Sequence, residues 1–260
     1  MATSLWKKKK EAIGIIAIDR PSKLNALNAE VIEALSGAIK DFHSNPNIRV
    51  IILTGSGEKA FVAGADIAAF SKFGPAEGQA LASQGQLALF NLIEQGPTPV
   101  IAAINGYALG GGLELAMACH MRLAASTAKM GLPEVSLGLI PGYGGTQRLP
   151  QLIGKGRANE LIFSGQMIGA QTALEYGLVN KVVALEELMS SAEALALKIA
   201  QQSPTAISAA IGAVNAGFDP TQNGYEVEIK AFGNLFGSPD FIEGTTAFLE
   251  KRKANFSGKK

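Results

Sequence analysis

Apolar residues along this chain follow two rhythms, and each predicts a different element. Unbroken apolar runs occupy 12–18 (AIGIIAI), 50–53 (VIIL) and 100–104 (VIAAI). Runs of that length, bounded by turn residues, suit strands buried on both faces of a sheet. Pro21 ends the first of them. Spacing of three and four residues predicts helices instead. Val31, Leu35, Ile39 and Phe42 recur in this way after Asn28, which suits an N-cap. That helix must stop before Asn45-Pro46, because proline pushes the preceding residue out of helical dihedrals. Strand, helix and strand within about 45 residues is the arithmetic of a right-handed crossover unit.

The pattern continues through a glycine-rich loop, TGSGEKAFVAGADIAAF, at 54–70. A helix is predicted over about 80–95, with Leu89, Leu92 and Ile93 on its apolar side and Gly96-Pro97 as its stop. The strand at 100–104 runs straight into a glycine run at 106–112. A helix over 112–119 and a short strand over 121–124 follow. Residues 131–145 have loop composition. Helices are predicted at 146–153, 155–163, 170–176 (with Gly177 as C-cap) and 185–202. Composition shifts at Ser203-Pro204, so 1–202 is taken as the core unit and 203–260 as a helical appendage. Gly217, Pro220, Gly237 and Pro239 interrupt that appendage. The ending KRKANFSGKK has the character of a solvated basic tail. Lysines 7–10 before the first apolar run suggest one strand with a charged, edge-like start. Asp19-Arg20-Pro21 behind that run argue against a secretory signal.

Composition narrows the function classes. With 260 residues, 47% of them hydrophobic, the chain is large enough for a substantial core. A net charge of +1 removes bulk electrostatics as a reason to expect nucleic acid or an anionic membrane as partner. The single cysteine, Cys119, excludes an intramolecular disulfide and a structural zinc cluster, and no metal is expected. His43 and His120 are the only histidines, and neither accompanies a nucleophile elbow. No apolar run reaches the roughly 18 residues of a membrane span. The expected location is a reducing, cytoplasmic compartment.

Candidate chemistry centres on 105–134, NGYALGGGLELAMACHMRLAASTAKMGLPE. Glycines at 110–112, where a strand feeds a helix, let the backbone meet a ligand directly. The first N–H groups of a helix lack partners within it and favour negative charge. A phosphate loop would need Gly-Lys-Ser/Thr, whereas Leu113-Glu114 follows here. A carboxylate in the first turn suits a site where a carbonyl oxygen gains charge beside an acid or base. Close packing of helix on sheet is the competing explanation for the glycines. Taken singly, Glu114 is equally a solvent-facing or capping residue, and Glu134, after Pro133, an exposed loop carboxylate. Converging near backbone donors, the two would form an acid–base pair. The loop FVAGADI at 61–67 offers a second set of N–H groups, with Asp66 expected to cap.

At these residues the chain resembles the enoyl-CoA hydratases of the crotonase superfamily. The resemblance runs from about residue 5 to residue 257. It is carried by PSKLNALN (21–28), KAFVAGADI (59–67), PVIAAINGYALGGGLELAMAC (99–119), LPEVSLGLIPGYGGTQRLP (132–150) and AFLEKRKANF (247–256). It implies an α/β fold, a spiral of repeated strand–strand–helix units followed by a C-terminal helical trimerisation region. It implies a homotrimer or homohexamer acting on acyl-CoA thioesters, with no cofactor, since coenzyme A is part of the substrate. The implied oxyanion-hole amides are those of Ala65 and Gly111. Glu114 would activate water and Glu134 would protonate the α-carbon. Members with other activities, such as isomerases, often lack one glutamate. A branch that binds RNA is disfavoured by the near-neutral charge. The Gly142 amide would help place the water. Contacts to coenzyme A would come from Lys23, Leu24 and Ala26, from Ala63, Ala65, Asp66, Ile67 and Ala68, and from Phe248 and Lys251 of a neighbouring subunit. His120 stands where relatives are usually acidic, with a structural effect expected.

Overall fold

The computed structural model describes residues 4–258. Lys259 and Lys260 of the basic tail lie outside the described residues. The strands are β1 (Leu5–Lys10), β2 (Ile13–Ile18), β3 (Val50–Gly55), β4 (Ala60–Val62), β5 (Val100–Ile104), β6 (Tyr107–Leu109), β7 (Met121–Ala125), β8 (Lys129–Gly131), β9 (Ile168–Gly169) and β10 (Lys181–Val183). The helices are α1 (Ala29–Ser44), α2 (Pro75–Gly85), α3 (Asn91–Glu94), α4 (Gly111–Ala118), α5 (Gly145–Ile153), α6 (Lys155–Ser164), α7 (Ala170–Tyr176), α8 (Leu188–Ala200), α9 (Pro204–Ala216), α10 (Gly224–Leu235) and α11 (Pro239–Leu249).

Two sheets share the strands. The larger runs β1-β2-β3-β5-β7-β10 and the smaller β4-β6-β8-β9. Successive strand pairs β3/β4, β5/β6 and β7/β8 each give one strand to either sheet, which produces a spiral. The three apolar runs become β2, β3 and β5, which pair in parallel and are buried along their whole length. That is the burial parallel strands covered on both faces require. Helix α1 joins β2 to β3 as predicted, and Asn28 Oδ1 accepts the Val31 N–H at 2.9 Å.

Several expectations need correction. The single first strand is a hairpin: Glu11 adopts φ +52°, and β1 pairs antiparallel with β2, leaving its lysines on an exposed edge. Strands β4, β6 and β8 have three residues each; β4 and β6 fall in stretches expected to be loop or glycine run, and β8 falls where no element was predicted. So short a segment shows no periodicity. The 80–95 helix begins at Pro75 and passes through a π-helical turn, Gln86–Phe90, into α3. The basic tail is largely exposed, as expected, but it is also tethered. Glu243 pairs with Arg252 at 2.7 Å, Asp240 accepts the Gly258 N–H at 2.7 Å, and Arg49 donates to the Phe256 carbonyl.

Ser203 caps α9 by accepting the Ala206 N–H at 3.0 Å. Helix α10 buries none of its residues. His120 is structural, as expected. Its Nδ1 accepts the Val100 N–H at 3.0 Å, and burial, with His43 nearby, pushes its pKa down to about 4.

The small sheet hangs from the large one through two buried asparagines. Asn105, between β5 and β6, donates to the carbonyls of Gly55 (3.0 Å), Gly57 (2.7 Å) and Ala60 (3.1 Å). Asn25 donates to Ala60 as well, at 2.8 Å. Asn105→Ala should therefore cost about 2–4 kcal/mol in urea unfolding, since buried carbonyls lose their donor. A loss below about 0.5 kcal/mol, the scale of a surface substitution, would contradict this role.

Candidate active site

The short strands of the small sheet deliver two main-chain donors to one place. β4 and β6 run parallel, with Val62 opposite Ala108. Three residues beyond each lie Ala65 and Gly111. Around Ala65, the Leu27 N–H donates to Gly64 O (2.9 Å) and the Asp66 N–H to Leu27 O (2.7 Å). In parallel pairing this turns the N–H of the residue between them to the opposite side. Gly111 is the first residue of α4, where an N–H has no acceptor within the helix. Neither amide has a hydrogen-bond acceptor among the described residues.

The glycine run serves both purposes considered for it. Gly110 sits at φ +49°, and a Cβ there would lie 2.9 Å from Glu134 Oε1. At Gly112 a Cβ would collide with the Val62 carbonyl. Gly110 thus opens the site, and Gly112 packs α4 against β4.

Glu114 is buried in the first turn of α4. Its Oε1 accepts two amides, those of Tyr143 and Gly145, each at 2.7 Å. Burial pushes its pKa up to about 7. The Gly145 and Tyr143 N–H groups and the Arg148 charge oppose that rise, and the nearby Glu134 charge adds to it. Glu134 opens a 3₁₀ turn, Glu134–Leu137, and burial raises its pKa as well. Its Oε1 lies over Gly110, and its buried Oε2 has no hydrogen-bond partner among the described residues. Both carboxyls therefore lie at the start of α4, Glu134 over Gly110 and Glu114 in the first turn, near enough for the charge of one to act on the other.

The other predicted residues divide into two groups. Leu24 takes a left-handed conformation at φ +49°, and its carbonyl accepts the Ala63 N–H at 3.0 Å. Arg20 donates to the Ala26 carbonyl at 2.7 Å and lies 3.9 Å from Asp66. Lys23, Leu24 and Ala26 thus share one rim with Ala63, Ala65, Asp66, Ile67 and Ala68. Asp66 does not cap the turn at Ile67–Ala69, because its side chain makes no cap hydrogen bond there. Gly142 lies close by, yet the amides that reach Glu114 belong to Tyr143 and Gly145, while the Gly142 carbonyl accepts from Gln86 at 2.7 Å. Phe248 and Lys251 stand exposed on the C-terminal arm, and no interaction among the described residues joins them to this rim. Sequence reasoning missed Tyr143, Gly145 and Gln86. Tyr143 and Gly145 act through backbone N–H groups, which side-chain identity does not advertise, and Gln86 through a side-chain amide whose partner is distant in the chain.

A model of the family described as enoyl-CoA hydratase/isomerase matches residues 8–259. The chain belongs to this family. Among its enoyl-CoA hydratase/isomerase relatives is the crotonyl-CoA hydratase of Syntrophomonas wolfei, 45% identical over 252 residues, covering 96% of each chain. The short-chain-enoyl-CoA hydratase of Clostridium acetobutylicum is 44% identical over 246 residues, 94% of each. A crystal structure of an enoyl-CoA hydratase from Bacillus anthracis superposes with a TM-score of 0.92 at 41% identity, covering 98% of this chain and 100% of that one. The spiral α/β fold with its C-terminal helices is thus the family's own.

Burial of Glu114 has a consequence for stability. Unfolded, the carboxyl titrates near 4.5; folded, near 7. Between those values the folded state holds the extra proton, so this group's contribution is greatest below about 4.5 and is lost as pH rises through about 7. Glu114→Gln keeps an acceptor for both amides and removes the buried charge. It should raise stability at pH 8 by up to about 3 kcal/mol, with the gain fading toward pH 5. Equal stability of the two proteins at pH 8 would contradict the burial argument.

Proposed function

We propose that this protein is an enoyl-CoA hydratase, adding water reversibly to trans-2-enoyl-CoA to give 3-hydroxyacyl-CoA. The observation that carries the reading is the pair of carboxyls at the start of α4, Glu114 buried and Glu134 half-buried, both with raised pKa, beside two main-chain N–H groups that have no acceptor among the described residues. The names of the similar hydratases support the same reaction.

In this reading the Ala65 and Gly111 amides bind the thioester oxygen and hold it as an enolate forms. Each donor is worth about 3–4 kcal/mol in the transition state. Glu114, ionised, takes a proton from water as the oxygen attacks the β-carbon. Glu134, protonated, gives its proton to the α-carbon. The roles exchange in dehydration. The rim from Lys23 to Ala26 and from Ala63 to Ala68 takes coenzyme A, and the Gly142 amide helps to place the water. Coenzyme A arrives with the substrate, and no cofactor or metal enters the scheme.

We assign the core and active site to 1–202 and subunit association to 203–260. The reason is the apolar surface left on the C-terminal helices, where Tyr225, Ile229, Phe232, Phe248 and Leu249 are exposed. A homotrimer or dimer of trimers would cover it and bring Phe248 and Lys251 to a neighbour's coenzyme A. No helix among the described residues is long and apolar enough to cross a membrane, and we place the enzyme in the cytoplasm.

Purified protein should bleach the conjugated-enoyl absorbance of crotonyl-CoA; none at micromolar enzyme would reject the activity. Glu114→Gln and Glu134→Gln should each lower kcat by roughly 10²–10⁴-fold while coenzyme A binding survives. Parental turnover in either variant removes that residue from the scheme. Because Glu114 must be ionised to act as base, the acid limb of kcat/KM for hydration should fall near pH 7. Lys251→Ala should raise KM more than it lowers kcat, as a remote phosphate contact binds ground and transition states alike. A drop in kcat alone would contradict that contact.

A further inference from the structure

We propose that Arg148 is a positioning residue for Glu114, holding the Tyr143–Gly145 turn whose two amides fix the carboxylate. The inference rests on the hydratase reading above and adds a residue that the reading does not use. Arg148 lies on α5, inside the motif PGYGGTQRLP, and is 7% exposed. Its Nη1 donates to the Tyr143 carbonyl at 2.8 Å. The amide of that same residue donates to Glu114 Oε1. One residue thus faces the arginine with its carbonyl and the carboxylate with its N–H. Gly144, at φ +97°, completes the turn, and a Cβ there would collide with the guanidinium. The turn and the arginine are therefore fitted to each other.

The arginine is itself fixed from the far side. Its Nε and Nη2 form a two-pronged pair with Glu94, at 2.9 and 2.6 Å, and Nη2 also reaches Asn91 Oδ1 at 3.2 Å. The Glu94 carbonyl accepts from Asn215 of α9 at 2.7 Å. A planar guanidinium can hold a carboxylate and a carbonyl in one fixed geometry, which a lysine ammonium cannot. Tyr143 is further clamped by stacking on Phe90, with ring centres 4.7 Å apart. The result is a rigid cradle behind the base.

Electrostatics work in the same direction. Glu114 feels the positive charge of Arg148 and the negative charge of Glu134, which act in opposite directions on its ionisation. Around Arg148 itself stand Glu94, Cys119 and, beyond Glu94, His120 with Arg122 and His43. Among these, Arg148 alone is the cation whose field reaches Glu114 and favours its ionised form. A merely structural ion pair would influence stability and leave the titration of the base unmoved.

The test is steady-state kinetics with crotonyl-CoA across pH for the parent, R148Q, R148K, E94Q, E114Q and E114Q/R148Q. R148Q should lower kcat by roughly 10- to 100-fold with KM little changed, the size expected when a reacting group is misplaced. Its acid limb should move to higher pH. R148K, which keeps the charge, should return the limb toward the parent's position and recover only part of kcat. In the E114Q background, adding R148Q should cost little more. Should R148Q fail to fold, E94Q carries the question, since it frees the arginine without removing it; it should lower kcat at constant KM. Parental kcat and an unmoved acid limb in R148Q, or parental kcat in E94Q, overturn the inference, as does a full additional loss in the double variant. E114Q at parental turnover overturns both readings. An inactive E114Q beside a fully active R148Q overturns this one alone.

Discussion

Keeping a carboxylate buried in the first turn of a helix is costly, and much of this structure serves to keep Glu114 there. Desolvation disfavours its charged form and lifts its pKa to about 7. Two amides from the 143–145 turn and the Arg148 charge offset part of that cost. The Glu134 charge adds to it. The balance leaves a group able to exchange a proton near neutral pH, which is what acid–base chemistry requires. A fully solvated glutamate would stay ionised, and one without amides or arginine would stay protonated.

The two sheets divide the work. The large sheet supplies rigidity through β2, β3 and β5, which are buried throughout. The small sheet also feeds the core, through Phe61, Val62, Ala108 and Met130. Its three-residue strands carry the chain toward Ala65 and Gly111, and Asn25 and Asn105 tie the opposite end of β4, at Ala60, to the end of β3. Both proposed oxyanion donors are main-chain groups, so their placement depends on register and not on side-chain identity. That places a premium on glycine where backbone approaches backbone, as Gly112 does against Val62.

How much of this was legible follows from the kind of signal each feature carries. The long apolar runs and α1 with its Asn28 cap were plain, because burial on two faces and helical spacing leave repeating marks. Glu114 and the glycines stood out because a charge and a missing side chain are conspicuous in an apolar helix. The three-residue strands were invisible, being shorter than any period. So was the hairpin, whose turn rests on one left-handed residue, Glu11, with no glycine to announce it. Asp66 looked like a cap and is not one, since a cap depends on where the side chain points. The tail is as solvated as it looked, but its tethers were hidden, because Arg252 and the backbone of Phe256 and Gly258 partner residues elsewhere in the chain. Tyr143 and Gly145 act through N–H groups that every non-proline residue has. The roles proposed for Ala65, Phe248 and Lys251 came only from the family resemblance.

The central claim is that the Ala65 and Gly111 amides polarise a thioester carbonyl beside the two glutamates. Main-chain donors cannot be removed by ordinary substitution, so the carbonyl itself is the best reporter. Isotope-edited infrared spectroscopy of an unreactive acyl-CoA labelled with ¹³C at the thioester carbon would read it directly. The account predicts that the C=O stretch shifts to lower frequency on binding, as the bond lengthens against two donors. A bound ligand whose carbonyl frequency matches that in water would contradict it.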